Sequence, residues 1–419
     1  MKFIHAADIH LDSPLRGLEQ YEGAPVEDIR GATRKAFENL VDFCLEEGID
    51  FLLLAGDLYD SDWKDYNTGL FFIHQVARLT REGIRVVMAR GNHDAASQIT
   101  RRLRLPQGVY DLPTRKPETV AFDHLGVAIH GQGFSKREVT ANLAMALPEP
   151  VPGRFNIGLL HTSLDGREGH DVYAPCSLSD LRHKGYDYWA LGHIHRREIP
   201  CQDPPVVFPG NLQGRHSKET GPKGAYLVEV EDGELARLDF KPLETVRWEL
   251  VEVDVSGLES FPDVAEASLT VLQSSCGDLG DQVLAARLVL HGESPLHHRI
   301  LADPECVAQE IRAAASELYT PVWVEKVLAR TRPPRDAAAL ASREDAVGEL
   351  LRGLARLSQD EESLQAIKQA LSGLARKLPS EYKQLPEGLQ LEDTDCLLSL
   401  APEVEDLLIS FFQDSEGEP

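Results

Sequence analysis

Short apolar runs, each ended by a few polar residues, set the rhythm of the first half of the chain. Lys2 to Ala7, Phe51 to Ala55, Val86 to Ala89, Phe155 to Leu160 and Tyr188 to Leu191 are brief, and several are rich in β-branched or aromatic residues. Runs of this length and composition read as buried strands. Between them, Arg30 to Glu47 and Tyr66 to Glu82 carry helical periodicity and are bounded by Gly or Asp turns. Strands alternating with helices up to about Phe240 predict an α/β sandwich. Val206 to Pro209 and Gly224 to Glu231 read as paired strands, and Glu231-Asp232-Gly233 as a hairpin turn leading into Leu235 to Phe240. These antiparallel strands are expected to close the first domain.

The register changes from Arg247. A strand at Trp248 to Val255, a helix from Pro262 to Ser274, a strand at Gln282 to His291, a helix from Pro304 to Leu318 and a strand at Pro321 to Ala329 make a small α+β module. Arg332-Pro333-Pro334 then breaks the chain. Beyond it, Ala337 to Leu357 and Asp360 to Lys377 are helical by period, and Val404 to Phe412 is an apolar stretch that reads equally as a core helix or a docking segment. The expected division is a first domain over 1–245, an α+β domain over 246–332, and an acidic helical region over 333–419.

Composition narrows the class. A chain of 419 residues with 42% hydrophobic content can bury a sizeable core. No run approaches the roughly 20 apolar residues of a membrane span, and the first strand begins at Lys2, so the expected location is the cytoplasm. The six cysteines lie far apart without a CxxC pair, which argues against a zinc knuckle or a disulfide framework. The net charge is −25. Residues 1–240 carry 27 basic and 35 acidic side chains, so most of the acidity lies beyond them. A protein that grips DNA alone shows a basic surface, because phosphate neutralisation drives the sequence-independent affinity. A DNA substrate would therefore imply a partner that supplies much of the grip.

The chemistry sits where the apolar runs stop. In order, the strand ends carry Asp8-Ile9-His10, Gly56-Asp57, Gly91-Asn92-His93-Asp94, His161, and Gly192-His193-Ile194-His195. Polar residues at the carboxyl ends of neighbouring strands converge on one edge of a sheet, where open α/β folds bind ligands. Singly, Asp8-x-His10 or Gly56-Asp57 is an ordinary turn and His161 is nothing; Gly91-Asn92-His93-Asp94 is sharper, and all five together define one site. Carboxylate, imidazole and amide oxygen suit divalent ions of intermediate hardness, Mn²⁺ foremost, then Fe²⁺ or Zn²⁺, whereas Mg²⁺ fits a His-rich set poorly. Two such ions about 3.5 to 4 Å apart share a carboxylate, activate a water and clamp an in-line displacement at phosphorus. Asp8, His10, Asp57 and His195 are expected at the first ion, and Asp57, Asn92, His161 and His193 at the second, with Asp57 bridging. His93 is then left to contact the scissile phosphate and protonate the leaving oxygen, with Asp94 as an orienting partner. His5, His74, His124, His183, His291, His297 and His298 read as core or surface. His130 matches no ligand position, and His170 and His216 stay open.

At this point the chain resembles the calcineurin-like metallophosphoesterases, and more narrowly the bacterial SbcD/YhaO-type DNA repair exonucleases. The likeness is carried by Asp8-Ile9-His10-Leu11-Asp12-Ser13-Pro14, Tyr173-Ala174-Pro175-Cys176, the segment from Tyr186 to His195, and Pro209 to His216 followed by Lys223-Gly224. It covers about 240 residues, and the module after Trp248 is similar to the family's capping domain. The resemblance implies a four-layer α/β/β/α sandwich with a small α+β capping domain and C-terminal helices. It also implies a manganese-dependent nuclease partnered by an SMC-like ATPase with a long coiled coil, and a homodimer through the helices between Asp65 and Arg81. Arg215 and His216 would face the substrate, and Arg101-Arg102-Leu103-Arg104 could track a DNA backbone. Where some relatives carry a histidine three residues after the bridging aspartate, this chain has Asp60, so that histidine's role does not transfer. Two other readings compete: a phosphodiesterase or phosphatase for small or cyclic nucleotides, which shares these motifs, and a non-catalytic scaffold of an ATPase complex, which the complete ligand set disfavours.

Overall fold

In the computed structural model the apolar runs become the inner strands of two stacked six-stranded sheets. The structure describes residues 1–13, 26–60, 66–96, 104–164, 173–277, 279–280, 282–334, 342, 344–357, 360–375, 393–394, 396–401 and 404. The first sheet runs β12 (Glu234–Pro242), β11 (Gly224–Glu231), β1 (Lys2–Ala6), β2 (Phe51–Ala55), β3 (Arg85–Ala89), β4 (Val109–Asp111). The second runs β5 (Glu118–Phe122), β6 (Val127–Gly131), β7 (Phe155–His161), β8 (Tyr188–Gly192), β10 (Pro205–Phe208), β9 (Glu198–Gln202). Strands β1 to β4 are parallel, as are β6, β7, β8 and β10, so each sheet gathers carboxyl ends on one edge.

Parallel strands covered on both faces need apolar side chains throughout, and β2, β6, β7 and β8 are buried at every position. Successive side chains divide between two cores. Phe3, Phe51, Leu53 and Val87 from the first sheet meet Ile129, Ile157, Leu159, Tyr188 and Val207 from the second, while Ile4, Leu52, Leu54 and Val86 face outward. The outer face of the first sheet is covered by α1 (Val26–Glu47) and α2 (Tyr66–Arg81) through Leu40, Val41, Cys44, Phe72, Val76 and Leu79. A short helix, α3 (Asn92–Ala96), follows β3, and on the far side α4 (Leu143–Ala146) and α5 (Leu178–Lys184) bring Leu143, Ala144 and Leu181 onto Leu160, Trp189, Leu191 and Phe208. The layers are thus α/β/β/α. Each fully buried Leu, Val or Phe contributes about 1.5 to 3 kcal/mol, so the two cores fix the sheets against one another. His5 belongs to the inner layer: its Nδ1 lies 3.1 Å from the Tyr188 hydroxyl, and burial pushes its pKa down to about 3, leaving it neutral.

One expected pairing is corrected. Val206 to Pro209 and Gly224 to Glu231 do not pair: β10 lies between β8 and β9 in the second sheet, and β11 lies between β1 and β12 in the first. The hairpin after β11 forms as expected, with Glu231 opposite Glu234 and left-handed backbone at Asp232 and Gly233.

A third sheet, ordered β13 (Val246–Asp254), β14 (Val283–Glu293), β15 (Val322–Arg332), is accompanied by α6 (Phe261–Ser275), α7 (His297–Ala302) and α8 (Pro304–Ala315). The chain divides into two compact units. One comprises Met1–Glu252, Ser268–Val289 and Ala308–Leu328; the other comprises Val253–Ala267, Leu290–Val307 and Ala329–Pro419. The first holds the two large sheets, together with a cluster of Trp248, Trp323, Ala285, Val246 and Ala32. The second includes α7 and the helices Ala346–Arg356 and Glu361–Ala375, the former begun by Asp345, whose carboxylate accepts the Gly348 amide. Among the described residues no helix is long and apolar enough to cross a membrane. Within the basic patch, Arg101, Arg102 and Leu103 lie outside the described residues, as do His170 and the apolar stretch beyond Val404.

Candidate metal centre

The turns that leave β1 and β2 run side by side beyond the sheet. Asp8 N donates to Gly56 O at 3.1 Å, His10 N to Asp57 O at 2.9 Å and Leu11 N to Leu58 O at 2.9 Å. This ladder holds Asp8, His10 and Asp57 at φ of 50°, 46° and 51°, and His193, after β8, sits at 104°. L-residues rarely adopt such angles, at a cost of about 1 to 3 kcal/mol each, and persist there only where surrounding bonds over-determine them. Glycines give the turns room. A Cβ on Gly91 would stand 2.1 Å from Asp57 Oδ1, and one on Gly192 would stand 1.9 Å from Ala55 O. Gly91→Ala is therefore expected to displace the Asp57 carboxylate and weaken divalent-metal binding about 10- to 100-fold, the usual result of disturbing what supports a ligand. Calorimetric titration with Mn²⁺ measures this; wild-type affinity in the variant would show that the turn absorbs the methyl.

Asp57 lies at the middle. Its Oδ2 is 3.4 Å from His161 Nε2, 3.9 Å from His10 Nε2 and 4.0 Å from His93 Nε2, while Oδ1 accepts the His93 amide at 2.9 Å. The amide of His193 donates to both Asp8 oxygens, at 3.2 and 3.0 Å. Asp8 Oδ1 is also 4.0 Å from His195 Nε2 and 3.9 Å from His161 Nδ1. Asn92 Oδ1 is 2.9 Å from His161 Nε2, whose Nδ1 is fixed by Ala55 O at 3.0 Å, and the His193 ring centre is 5.2 Å from that of His161. Three donor triads result among the described residues, Asp8 with His10 and His195, Asp8 with Asp57 and His161, and His10 with Asp60 and His93, the ligand atoms within each lying within 4.8 Å of one another.

The chemistry of this set fits divalent cations. Nδ1 of His10 is 2.9 Å from Asp60 Oδ1, and Nδ1 of His195 is 2.8 Å from Glu219 Oε1. An imidazole that donates Nδ1–H to a carboxylate presents a lone pair at Nε2. The two Nε2 atoms face each other at 3.2 Å beside the Asp8 and Asp57 carboxylates, an array of acceptors that a cation satisfies and a neutral partner does not. The acid–base balance agrees. Burial opposes charge on Asp57, yet His161, ahead of His10 and His93, holds its carboxyl well below the usual range. His161, against the same burial, is pushed up to about 9 by Asp57 and Asp8.

The seven expected ligands Asp8, His10, Asp57, Asn92, His161, His193 and His195 thus meet at one place. His93 stands at its rim with 28% of its side chain exposed, Nδ1 at 3.0 Å from Asp60 Oδ1. Burial opposes protonation of His93, but Asp60 and Asp57 raise its pKa. The carboxylate beside its Nδ1 is that of Asp60; Asp94 points elsewhere, accepting the Gly91 amide at 2.9 Å and the Tyr59 amide at 3.0 Å. Asp94 therefore ties the β3 turn to the β2 turn, and burial, then the charge of Asp57, push its carboxyl up to about 7. Arg215 reaches the site with its side chain 15% exposed, held by Glu219 and 3.8 Å from Asp60 Oδ1 through Nη1. His216 is exposed, its Nε2 3.7 Å from Glu219. His130 is buried in β6 between Thr119 and Asn156, stacked on Tyr186.

Two carboxylates carry roles that the sequence did not announce. Asp60 touches both His10 and His93; its only signal is the three-residue step from Asp57. Glu219 lies in an irregular loop four residues after Arg215, and that charge spacing is its only hint.

Comparison with known proteins places this geometry. The family model described as calcineurin-like phosphoesterase matches residues 1–197, and that of the metallophosphoesterase YhaO middle domain matches residues 248–332. The "Uncharacterized metallophosphoesterase YhaO" of Bacillus subtilis is 36% identical over 324 residues, covering 76% of this chain and 78% of its own length. The "DNA double-strand break repair protein Mre11" of Methanopyrus kandleri is 27% identical over 289 residues, 61% of this chain and 60% of its own. Among solved structures, a dimetal phosphatase from Danio rerio aligns with a TM-score of 0.33 at 11% identity, covering 55% of this chain and 93% of its own. With its donor set, its layers and a relative matched over most of both chains, the protein belongs to the calcineurin-like metallophosphoesterases of the YhaO family, metal-dependent hydrolases of phosphate esters.

Proposed function

We propose that the protein is a DNA exonuclease of double-strand-break repair that uses two divalent ions, manganese being the best match to its donors. The observation that carries this is the His93–Asp60 contact at the open rim of a donor set suited to two ions. Asp8, His10, Asp57 and His195 would hold one ion, and Asp57, Asn92, His161 and His193 the other. Ions bound there supply Lewis-acid polarisation of a phosphoryl oxygen and acidify water for attack. The remaining work falls to side chains. Asp60 sits at His93 Nδ1, so Nε2 is the atom that gives a proton to the departing sugar oxygen, and Asp57 favours the protonated ring. Arg215, beside both Asp60 and His195, meets the non-bridging oxygens of the diester.

The likeness to a protein named for double-strand-break repair supports DNA as the polymer. The charge of −25 supports a partner that supplies the grip, and an SMC-like coiled-coil ATPase is the proposed one, docked through residues 333–419 of this chain. Residues 1–245 would then form the nuclease domain and 246–332 the cap, with the homodimer formed through 65–81 and the complex working on the nucleoid in the cytoplasm.

Digestion of end-labelled linear DNA by the purified protein with Mn²⁺ tests the reading, run beside bis-p-nitrophenyl phosphate and a cyclic nucleotide, with and without chelator. Labelled ends should be released and chelation should stop it. Fast turnover of the small esters with intact DNA, even when the ATPase is supplied, would sink the nuclease and favour a small-molecule phosphodiesterase.

A further inference from the structure

Glu219 is 7% exposed and lies in the loop between β10 and β11, outside every motif that marks the metal ligands. Both of its oxygens bond Arg215, and each has one further partner of its own. Oε1 is 2.8 Å from His195 Nδ1 and accepts from Arg215 Nη2 at 2.9 Å. Oε2 accepts the Arg215 amide at 2.8 Å, Arg215 Nε at 3.4 Å and Asn211 Nδ2 at 2.9 Å. The backbone around it is close-packed: a Cβ on Gly214 would come within 2.8 Å of the Glu219 main-chain carbonyl, and Lys223 Nζ donates to the main-chain carbonyl of His195 at 3.1 Å.

The consequence for Arg215 is specific. Its backbone amide, Nε and Nη2 are all engaged by Glu219. Among the described residues Nη1 makes no hydrogen bond, with Asp60 Oδ1 at 3.8 Å, too far for one. The guanidinium is thus gripped through Nε and Nη2 and turns Nη1 toward Asp60, whose Oδ1 is in turn 3.0 Å from His93 Nδ1. A planar fork held this way is pre-ordered for a phosphate oxygen.

We propose that Glu219 is the positioning residue that ties substrate recognition to the metal site: one carboxylate aims His195 Nε2 at the ion bound with Asp8 and His10, and aims Arg215 Nη1 at the phosphodiester. The inference rests on the metal-dependent phosphodiesterase reading, although its metal arm does not depend on the substrate. An amide at 219 keeps the shape but cannot accept from His195 and Arg215 together on both oxygens. It loosens both aims at once, whereas removing the guanidinium loosens only one.

The test uses the full chain with Glu219→Gln, Arg215→Ala and the double variant. Mn²⁺ affinity by calorimetry and KM and kcat on bis-p-nitrophenyl phosphate are measured, with the melting temperature of the metal-free proteins as the control for folding. Glu219→Gln should lose about 10- to 100-fold in affinity for one of the two ions, and its KM should rise with that of Arg215→Ala. Arg215→Ala should keep its Mn²⁺ affinity within about threefold and raise KM. In the double variant KM should not exceed that of Arg215→Ala by the product of the single effects, because both act through one guanidinium. Wild-type Mn²⁺ affinity in Glu219→Gln, or independent, multiplicative KM effects, would overturn the proposal. If Glu219→Gln does not fold, Asn211→Ala, which frees Oε2 on one side, should raise KM without lowering kcat; no change in KM would count against the coupling. Failure of the nuclease reading shows separately, as a wild type that binds Mn²⁺ and leaves DNA intact.

Discussion

Asp57→Asn is expected to cost at least about a thousandfold in kcat/KM, corresponding to roughly 4 kcal/mol of lost transition-state stabilisation, together with the loss of at least one bound ion. The residue sits at the meeting point of three imidazoles, with Oδ2 3.4 Å from His161 Nε2, 3.9 Å from His10 Nε2 and 4.0 Å from His93 Nε2. Asparagine keeps the volume and can still accept the His93 amide through its oxygen, so the β2 and β3 turns should survive. What disappears is the charge, and with it the second oxygen able to ligate a cation. The local imidazoles then lose the anion that favours their shared alignment. Elemental analysis of the purified variant and its rate on a phosphodiester check this. Two retained ions and activity within tenfold of the wild type would remove Asp57 from the centre of the scheme.

The second large effect is that of His93→Ala, expected to lower kcat by about 10² to 10⁴ while the metal content stays at the wild-type value. Its ring is at the rim with 28% of the side chain exposed, and its Nε2 is 4.0 Å from the nearer Asp57 oxygen, as suits a group that meets substrate. The loss should depend on the leaving group. DNA departs as an alkoxide that needs a proton, whereas p-nitrophenolate is stable without one, so an aryl ester should lose far less than DNA does. The wild type should also show a fall in kcat as pH rises through the His93 pKa, which Asp60 and Asp57 raise against the effect of burial. A general acid works only while protonated, so the decline is on the alkaline side, and the alanine variant should lack it. Equal losses on DNA and aryl ester would mean that His93 does something other than protonate.

The ligands were readable from the sequence because each is fastened to a local signal. An apolar run long enough to cross the sheet ends abruptly, and the donor follows within one to four residues, so strand and ligand are found together. Asp60 and Glu219 offer no such anchor. A single carboxylate in a turn or loop looks like solvated surface until the fold brings an imidazole to it. The short strands β4, β5 and β9 escaped for the opposite reason: three to five residues with a half-exposed pattern carry too little apolar signal to stand out from a loop. The misplaced pairing of β10 with β11 marks another boundary. Apolar content identifies a strand, but its partner is settled by a chain crossing, and the segment from Pro209 to Lys223 carries the chain from one sheet to the other. His93 and Asp94 adjoin in sequence, yet the turn sends one to the rim and the other inward, a division that residue type alone does not encode.

The origin of the donors has one more consequence. Asp8, His10, Asp57 and Asn92 come from the first sheet, and His161, His193 and His195 from the second. An ion held by both groups would add a cross-link between sheets that otherwise meet through packed side chains and a few hydrogen bonds, such as those from the His193 amide to Asp8 and between His161 and Ala55 O, in a chain with no disulfide among its described residues. Its grip counts toward folding: each tenfold excess of free ion over its dissociation constant adds about 1.4 kcal/mol to the folded state. The supply of the divalent ion would then govern how much of the protein stays folded as well as how fast it works.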